Sequence, residues 1–479
     1  MKVLFASWEL DPFFKFGGLG DVARSLPFAL KEEGVDIRNV LPFYQALKLG
    51  RCKKSKVGKL TVEYDKVTEK VEVFCVLHPI NKVPVYLIRN KKYLSIPKAP
   101  DTFAFFCKAV VEMVYHNILS WIPDIIHCND HHTGLIPLLI RERKIPIKTI
   151  MTIHNLSYQG KASIDILSKL GIDVKKCKVL GWEIESKKVN FLMEGIIHAD
   201  LVTTVSPTYA KEIFQEEYGM GLEEILRGKE GRVFGILNGI DMLYNRSVSS
   251  SAVRYPYVQV GKENRTVSSK IYSWEEGKKL NKLFLQKKLG LKISASIPLF
   301  SFIGRFDPQQ KGIEILHKMI RRINLSKYEF VILGKGSSEW EERYQWLCKF
   351  YPKNVSCNFE FDNSLAHQIY AASDFILIPS KFEPCGLIQM FAMFYGTLPI
   401  AHKTGGLVDS ITDNVNGFLF EKHSSESLER TVKKALNIWY DDRVYYKMMV
   451  EAALVTNFSW EKSAGQYIDL YSKLINNTL

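Results

Sequence analysis

A chain of 479 residues is longer than one hydrophobic core serves, so it divides into two domains or more. With 46% apolar and 24% charged residues, and no apolar run of membrane-spanning length, it reads as neither a disordered nor a membrane-embedded chain. The net charge of +14, from 65 basic against 51 acidic residues, suits an anionic partner such as a nucleotide or a phosphorylated sugar, although a lysine-rich solvated surface supplies most of the excess. Its lysine pairs (Lys53-Lys54, Lys91-Lys92, Lys278-Lys279) are scattered and form no basic or basic/aromatic stripe, so neither nucleic acid nor a membrane is indicated as a partner.

Met1-Lys2-Val3-Leu4-Phe5 opens the chain as a strand. Glu9 and Asp11 soon interrupt it, and no small-residue cleavage site follows, which predicts a cytoplasmic protein. The eight cysteines (52, 75, 107, 128, 177, 348, 357 and 385) have no CxxC spacing, and several lie in strand-like runs, as reduced core cysteines do; no disulfide framework is expected. After the first strand comes Lys15-Phe16-Gly17-Gly18-Leu19-Gly20-Asp21, then helical periodicity over Gly20–Glu33. A lysine, close glycines and a helix N-terminus can cradle a phosphate, and they can equally form a plain tight turn. The stretch is not GxGxxG, and no GxxxxGK[ST] occurs.

Strands are predicted at Val71–Leu77, Val85–Ile88, Asp124–Cys128, Thr149–Ile153, Leu201–Val205 and Val233–Leu237, with helices over Thr102–Leu119, Asn190–His198 and Pro207–Phe214. This alternation implies a parallel sheet with helices on both faces. His127-Cys128-Asn129-Asp130-His131-His132 lacks the HExxH spacing and any Cys/His partner set; Asp130 there reads better as a sugar-hydroxyl acceptor than as part of a metal site. His154 and Asn155 follow a strand, where a ligand cleft is expected. Ser247–Ser251 and the polar segment to about Gly277 mark a linker.

The pattern then restarts, with strands at Leu299–Ile303, Phe330–Leu333, Val355–Phe359, Asp374–Ile378 and Leu398–Ile400 and a helix over Gly312–Ile323. Arg305 and Lys311, after the first of these strands, either converge on a diphosphate or occupy a solvent-facing turn. Glu383 sits on a strand-to-helix loop, where a carboxylate can hold sugar hydroxyls or serve the helix dipole, and the amides of Cys385, Gly386 and Leu387 can take an anion. Thr404-Gly405-Gly406 forms a further glycine loop after a strand. No DxD is present for a metal clamp on a nucleotide diphosphate, and no GxSxG for a serine hydrolase.

Jointly these segments resemble the bacterial glycogen synthase and plant starch synthase family of retaining glycosyltransferases. The resemblance runs nearly end to end, through KFGGLGDV (15–22), HCNDHHTGL (127–135), TIHNLSYQG (152–160), TTVSPTYAKEI (203–213), GILNGID (235–241), GRFDPQQKGIEIL (304–316), FEPCGLIQM (382–390), GTLPIAHKTGGLVDSI (396–411) and FSWEKSAGQYIDLY (458–471). It implies an α/β GT-B fold: two Rossmann-like, doubly wound domains facing a deep cleft. The first domain would span 1–245 with a C-terminal crossing helix within 456–479, and a nucleotide-sugar domain would span 246–455. The implied reaction moves glucose from ADP-glucose to the non-reducing 4-OH of an α-1,4-glucan, glycogen or maltooligosaccharide, with no cofactor and no metal. In it Lys15 and the Gly17-Gly18 loop would contact donor diphosphate or glucose, and Arg305 and Lys311 would neutralise the leaving nucleotide. Glu383 and the Cys385–Gly386 amides would hold the glucose, His154, Asp130 and Asp21 would line its pocket, and Asn238 would serve the glucose or acceptor side.

The chain departs from the family pattern at Met193-Glu194-Gly195, at Tyr244-Asn245-Arg246, at Ile388 and in a short Lys91–Pro100 loop. These positions bear on acceptor handling and donor base more than on reaction class. UDP-glucose as donor and a catalytically inactive glucan-binding homologue are the alternatives.

Overall fold

The computed structural model describes residues 1–97, 100–173, 185–241, 252–257, 272–360 and 362–478. They separate into two units, Met1–Gly239 with Trp460–Leu479, and Ile240–Ser459. Ser247–Ser251, most of the polar segment up to Gly277, and Tyr244-Asn245-Arg246 lie outside the described residues.

In the first unit, β1 (Lys2–Ala6) buries both of its faces. Val3 and Phe5 enter one core, Leu4 and Ala6 the other, which is why the strand reads as an unbroken apolar run rather than an alternation. The chain continues through β2 (Asp36–Pro42), β3 (Ser55–Tyr64), β4 (Val67–Leu77), β5 (Pro84–Arg89), β6 (Ile125–Asn129), β7 (Lys148–Ile153), a small β8 (Lys161–Ser163) and β9 (Lys188–Asn190) pair, β10 (Leu201–Thr204) and β11 (Val233–Gly235). Among the described residues the main sheet runs β11-β10-β7-β6-β1-β2-β5-β4-β3. It is parallel except at one edge: β4 is antiparallel to both β5 and β3, so the expectation of a parallel sheet is corrected there. The short turns at Asp65-Lys66 and from His78 to Val83 return the chain too quickly for a crossover helix, leaving only antiparallel pairing.

The helix Trp460–Ile475 belongs to this unit. Its Trp460, Ala464, Tyr467, Tyr471 and Leu474 repeat at helical spacing and enter the core beside Val3 and Phe5. The Tyr471 hydroxyl meets Nδ1 of the fully buried His127 on β6 at 2.7 Å.

The second unit carries β12 (Leu299–Ile303), β13 (Glu329–Leu333), β14 (Val355–Asn358), β15 (Phe375–Ile378), β16 (Leu398–His402) and β17 (Phe418–Phe420), all parallel in the order β14-β13-β12-β15-β16-β17. Numbered from its own first strand this is the 3-2-1-4-5-6 order of a doubly wound dinucleotide fold, with its direction reversing between β12 and β15. In the first unit the direction reverses between β1 and β6. Loops at such reversals diverge and leave a crevice at the C-terminal ends of the strands. One expectation about the cysteines is corrected: Cys348, on the helix Ser338–Phe350, is disulfide-bonded to Cys357 on β14, with Cα atoms 6.6 Å apart. The helix doubles back on the strand within nine residues and juxtaposes two cysteines that no CxxC spacing announces.

Candidate active site

In the first unit the candidate residues gather where β1, β6 and β7 end. Asn129, the last residue of β6, donates from Nδ2 to the Ala6 carbonyl at 3.0 Å, and its Oδ1 meets His154 Nε2 at 2.9 Å. One amide side chain thus ties three adjacent strand ends together. Asp130 follows in an unusual backbone conformation (φ 54°), and its Oδ1 accepts the His154 backbone N–H at 2.8 Å. Burial pushes the Asp130 carboxyl up to about 7, with the nearby Glu9 charge adding to the effect. Burial drives the His154 imidazole down to about 3, so at neutral pH it is an uncharged polar group. Asn155 is used locally, its Oδ1 accepting the Ser157 N–H at 3.0 Å.

The glycine loop serves an anion of the protein's own. Glu9, only 2% exposed, accepts the backbone N–H groups of Phe16 and Gly17, the latter at 2.8 Å. Burial raises the Glu9 carboxyl, and these N–H groups work against that rise. Gly17 has an extended backbone (φ −143°), so no left-handed turn demands a glycine there. Lys15 reaches forward instead, to Asp21 at 2.7 Å, and Arg24 binds Asp11 behind them. Phe16, between lysine and glycine, is 83% exposed. Asn238 is 6% exposed, and its Oδ1 is buried without a hydrogen-bond partner among the described residues.

In the second unit the loops after β12, β15 and β16 interlock. Gly312 precedes the helix Ile313–Arg322 at φ +62°, and a Cβ there would lie 1.8 Å from the Pro379 carbonyl oxygen. Only glycine lets the β12 loop rest directly on the end of β15. The Lys381 N–H then donates to the Gln310 carbonyl at 2.8 Å. Lys311 and Glu383 meet at 2.6 Å, at 13% and 10% side-chain exposure, and the Ser380 hydroxyl donates to the same carboxylate oxygen at 2.9 Å. Arg305 extends toward solvent, held by the Gln310 amide oxygen at 3.1 Å. Gly406, with Thr404 and Gly405 before it, donates its N–H to the Glu383 carbonyl at 3.0 Å. A Cβ on Gly406 would lie 2.1 Å from the Cys385 carbonyl oxygen, so this glycine too is a packing requirement. Cys385 is buried, Gly386 takes φ +70°, and Leu387 is the N-cap of the helix Ile388–Phe394.

A dense, partly buried set of charges at each sheet's reversal point fits a ligand carrying phosphate and hydroxyl groups. Residues 2–228 match the family model for the starch synthase catalytic domain, and residues 290–453 match that for glycosyl transferases group 1. A glycogen synthase of Thermotoga petrophila is 38% identical over 99% of this chain and 99% of its own. The chain belongs to the glycogen and starch synthase family. A Clostridium novyi glycogen synthase is 35% identical over 99% of this chain and all of its own. The catalytic domain of Arabidopsis thaliana starch synthase IV, solved bound to ADP and acarbose, is 30% identical with a TM-score of 0.84, covering 99% of both chains. A sucrose-phosphate synthase from Thermosynechococcus elongatus (18% identical, TM-score 0.60) shares the fold. The chain is therefore a glycosyltransferase of the GT-B fold, with two Rossmann-like domains.

Within this glycogen synthase framework Met193 is fully buried in the helix Phe191–His198, and Glu194 meets His198 one turn on, at 3.2 Å. The departure at 193–194 thus fills the interior of that helix. Ile388 starts the helix Ile388–Phe394, and Tyr244-Asn245-Arg246 lies outside the described residues. Among the described residues no helix is long and apolar enough to cross a membrane. Sequence reasoning passed over Glu9, Asn129, Gln310 and Ser380. Glu9 carried a signal, an acid placed just before a glycine loop, but as an isolated acid it reads as the end of a strand.

Proposed function

We propose that this glycogen synthase family member transfers glucose from ADP-glucose to the non-reducing 4-OH of an α-1,4-glucan with retention of configuration. The observation that carries the reading is the Lys311–Glu383 pair beside Arg305. It holds two cations and one carboxylate at the reversal point of a dinucleotide-type sheet. A donor diphosphate competes with Glu383 for the Lys311 ammonium, and the carboxylate so released accepts hydrogen bonds from the glucose hydroxyls. Arg305 and Lys311 stabilise the charge that grows on the departing phosphate. In a front-face displacement the C1–O bond to phosphate breaks as the bond from C1 to the acceptor O4 forms. The acceptor proton passes to the phosphate oxygen that is leaving, so ADP departs protonated and no enzyme nucleophile is used.

In the first unit the proposed contributions are the Lys15 ammonium, the uncharged His154 and Asp130 against the glucose, and the unpartnered Asn238 Oδ1 for a sugar hydroxyl. The Gly17 N–H already serves Glu9, so the Gly17-Gly18 loop acts by placing Lys15 rather than by binding phosphate through that amide. The test is glucose incorporation into glycogen with ADP-glucose and UDP-glucose side by side, and an NMR assignment of the new linkage. A higher kcat/KM with ADP-glucose and an α-1,4 product are expected. Preference for UDP-glucose overturns the donor assignment, and absence of transfer from either donor leaves a glucan-binding homologue.

A further inference from the structure

A cavity of about 590 Å³ opens in the first unit, lined among others by Arg141, Lys144, Lys148 and Asp200 and by the apolar Ile145 and Ile147. A smaller recess shares Lys148 and Asp200 and adds Arg232. These residues sit where β7 and β10 begin and just before β11, whereas His154 follows the other end of β7. Six residues of strand, about 20 Å, separate the two ends. The cavity is thus distinct from the candidate active site.

The lining holds Arg141, Lys144, Lys148 and Arg232 against one carboxylate, Asp200. That carboxylate is engaged by the Thr149 N–H at 2.8 Å and hydroxyl at 3.1 Å. Lys229 lies within electrostatic reach of Arg141, Asp200 and Arg232. Burial, reinforced by the two arginines, lowers its ammonium to about 8. Lys229 donates to the Ala199 carbonyl at 2.7 Å and Lys148 to Asn477 Oδ1 at 2.8 Å, both uncharged acceptors. Among the described residues none of these five cations makes an ion pair, although pairs are common elsewhere on the molecule. Scattered surface lysines would be dispersed by mutual repulsion. Here Arg141, Lys144 and Lys148 line one partly apolar recess and Arg232 lines the adjoining one, a gathering of like charge that is unfavourable unless an anion offsets it.

We propose that this recess is a binding site for a small phosphorylated metabolite, its phosphate held by Arg141, Lys144 and Lys148 and its body laid on Ile145–Ile147. The volume is that of a small-molecule pocket, too large for a bare phosphate ion alone. Arginine supplies the fork that matches phosphate oxygens, and the lysines supply point charge.

The test is calorimetric titration of the full chain with a hexose monophosphate, inorganic phosphate and unphosphorylated hexose at constant ionic strength. It is repeated on Arg141→Glu/Lys144→Glu, two exposed positions whose replacement leaves the core intact. The hexose monophosphate is expected to bind more tightly than phosphate, hexose not to bind, and the double variant to bind about tenfold more weakly or worse. Arg305→Ser/Lys311→Met, which disables the proposed donor site, is expected to retain the binding. Equal affinity of wild type and the Arg141/Lys144 variant, loss of binding in the Arg305/Lys311 variant, or no heat from the hexose monophosphate overturns the assignment. Equal binding of inorganic phosphate and hexose monophosphate removes the role of the apolar wall.

Discussion

Replacing Lys311 by Met separates what the Lys311–Glu383 pair does for the fold from what it does for the reaction. Both side chains are nearly enclosed, at 13% and 10% exposure, and without Lys311 the Glu383 carboxylate keeps only the Ser380 hydroxyl among its side-chain partners. Removing one member of a buried pair costs about 3–5 kcal/mol, because the other is left as an uncompensated charge. The remaining access to water places this case near the lower end, about 3 kcal/mol. In a domain of this size that corresponds to a fall of about 6–12 °C in its melting transition. Glu383→Gln, which keeps an acceptor and the shape, should cost less. The double variant Lys311→Met/Glu383→Gln has no stranded charge and should regain most of the lost stability.

Turnover should behave differently. If both groups act on the donor, each single variant loses about 10²–10³ in kcat, and the double variant recovers none of it. Differential scanning calorimetry and initial rates with ADP-glucose and glycogen read the two effects on the same samples. A double variant that regains turnover together with stability would mean that the pair only braces the loops after β12 and β15. A Lys311→Met protein melting with the wild type would show that the carboxylate is not stranded at all.

Glu9→Ala should leave the Phe16 and Gly17 N–H groups without their acceptor, at about 1–3 kcal/mol each, and loosen the loop that carries Lys15; initial rates should fall at least about tenfold, and normal kcat would refute the bracing role. His127 is pushed down to about 3 by burial, with His154 adding to the effect. The folded chain therefore leaves it neutral in the range where the unfolded chain takes up a proton, and its contribution to stability is lost as pH falls from about 6.5 toward 3. His127→Asn should flatten that pH dependence by about 1.4 kcal/mol per pH unit in denaturant titrations, and unchanged slopes would refute the assignment. With Arg305 and Lys311 assigned to the diphosphate, activity should persist in EDTA; loss restored by Mg²⁺ or Mn²⁺ would move that role to a metal.

Sequence pattern locates the buried strands well because burial on both faces leaves only apolar choices, as in Val3–Ala6 and Phe375–Ile378. It fails where polar residues are satisfied by distant partners. β2 begins Asp36-Ile37-Arg38-Asn39 and looks like a loop, yet Arg38 lies 4.2 Å over the Trp121 ring and Asn39 donates to the Ala23 carbonyl at 3.2 Å. β3 is an edge strand with lysines facing water, so its composition reads as charged surface. The motifs mark the loops of the candidate site because their glycines answer steric demands, such as Pro379 against Gly312. They say nothing of what the loops' charges touch, since an acid 72 residues from its lysine has no local signature.

Those contacts bear on selectivity. In the first unit Lys15 is held by Asp21 and the Gly17 amide by Glu9; in the second, Lys311 is held by Glu383, whose carboxylate also accepts the Ser380 hydroxyl. Even the outward Arg305 head has partners, leaning on Gln310 and, at 3.9 Å, on Asp307. A neutral sugar offers nothing to displace a carboxylate from an ammonium group, because it would exchange a charge-assisted bond for a weaker one. A diphosphate does, since it brings more negative charge than the single carboxylate it replaces, and the carboxylate it frees is then available to hydroxyl donors. On the proposed assignment, charge exchange at Lys311 would make glucose recognition by Glu383 conditional on the nucleotide diphosphate. Free glucose should therefore bind poorly in the absence of ADP and measurably better in its presence. Glucose titrations of the wild type with and without ADP test this order, and equal affinities would show that Glu383 is available to sugar from the start.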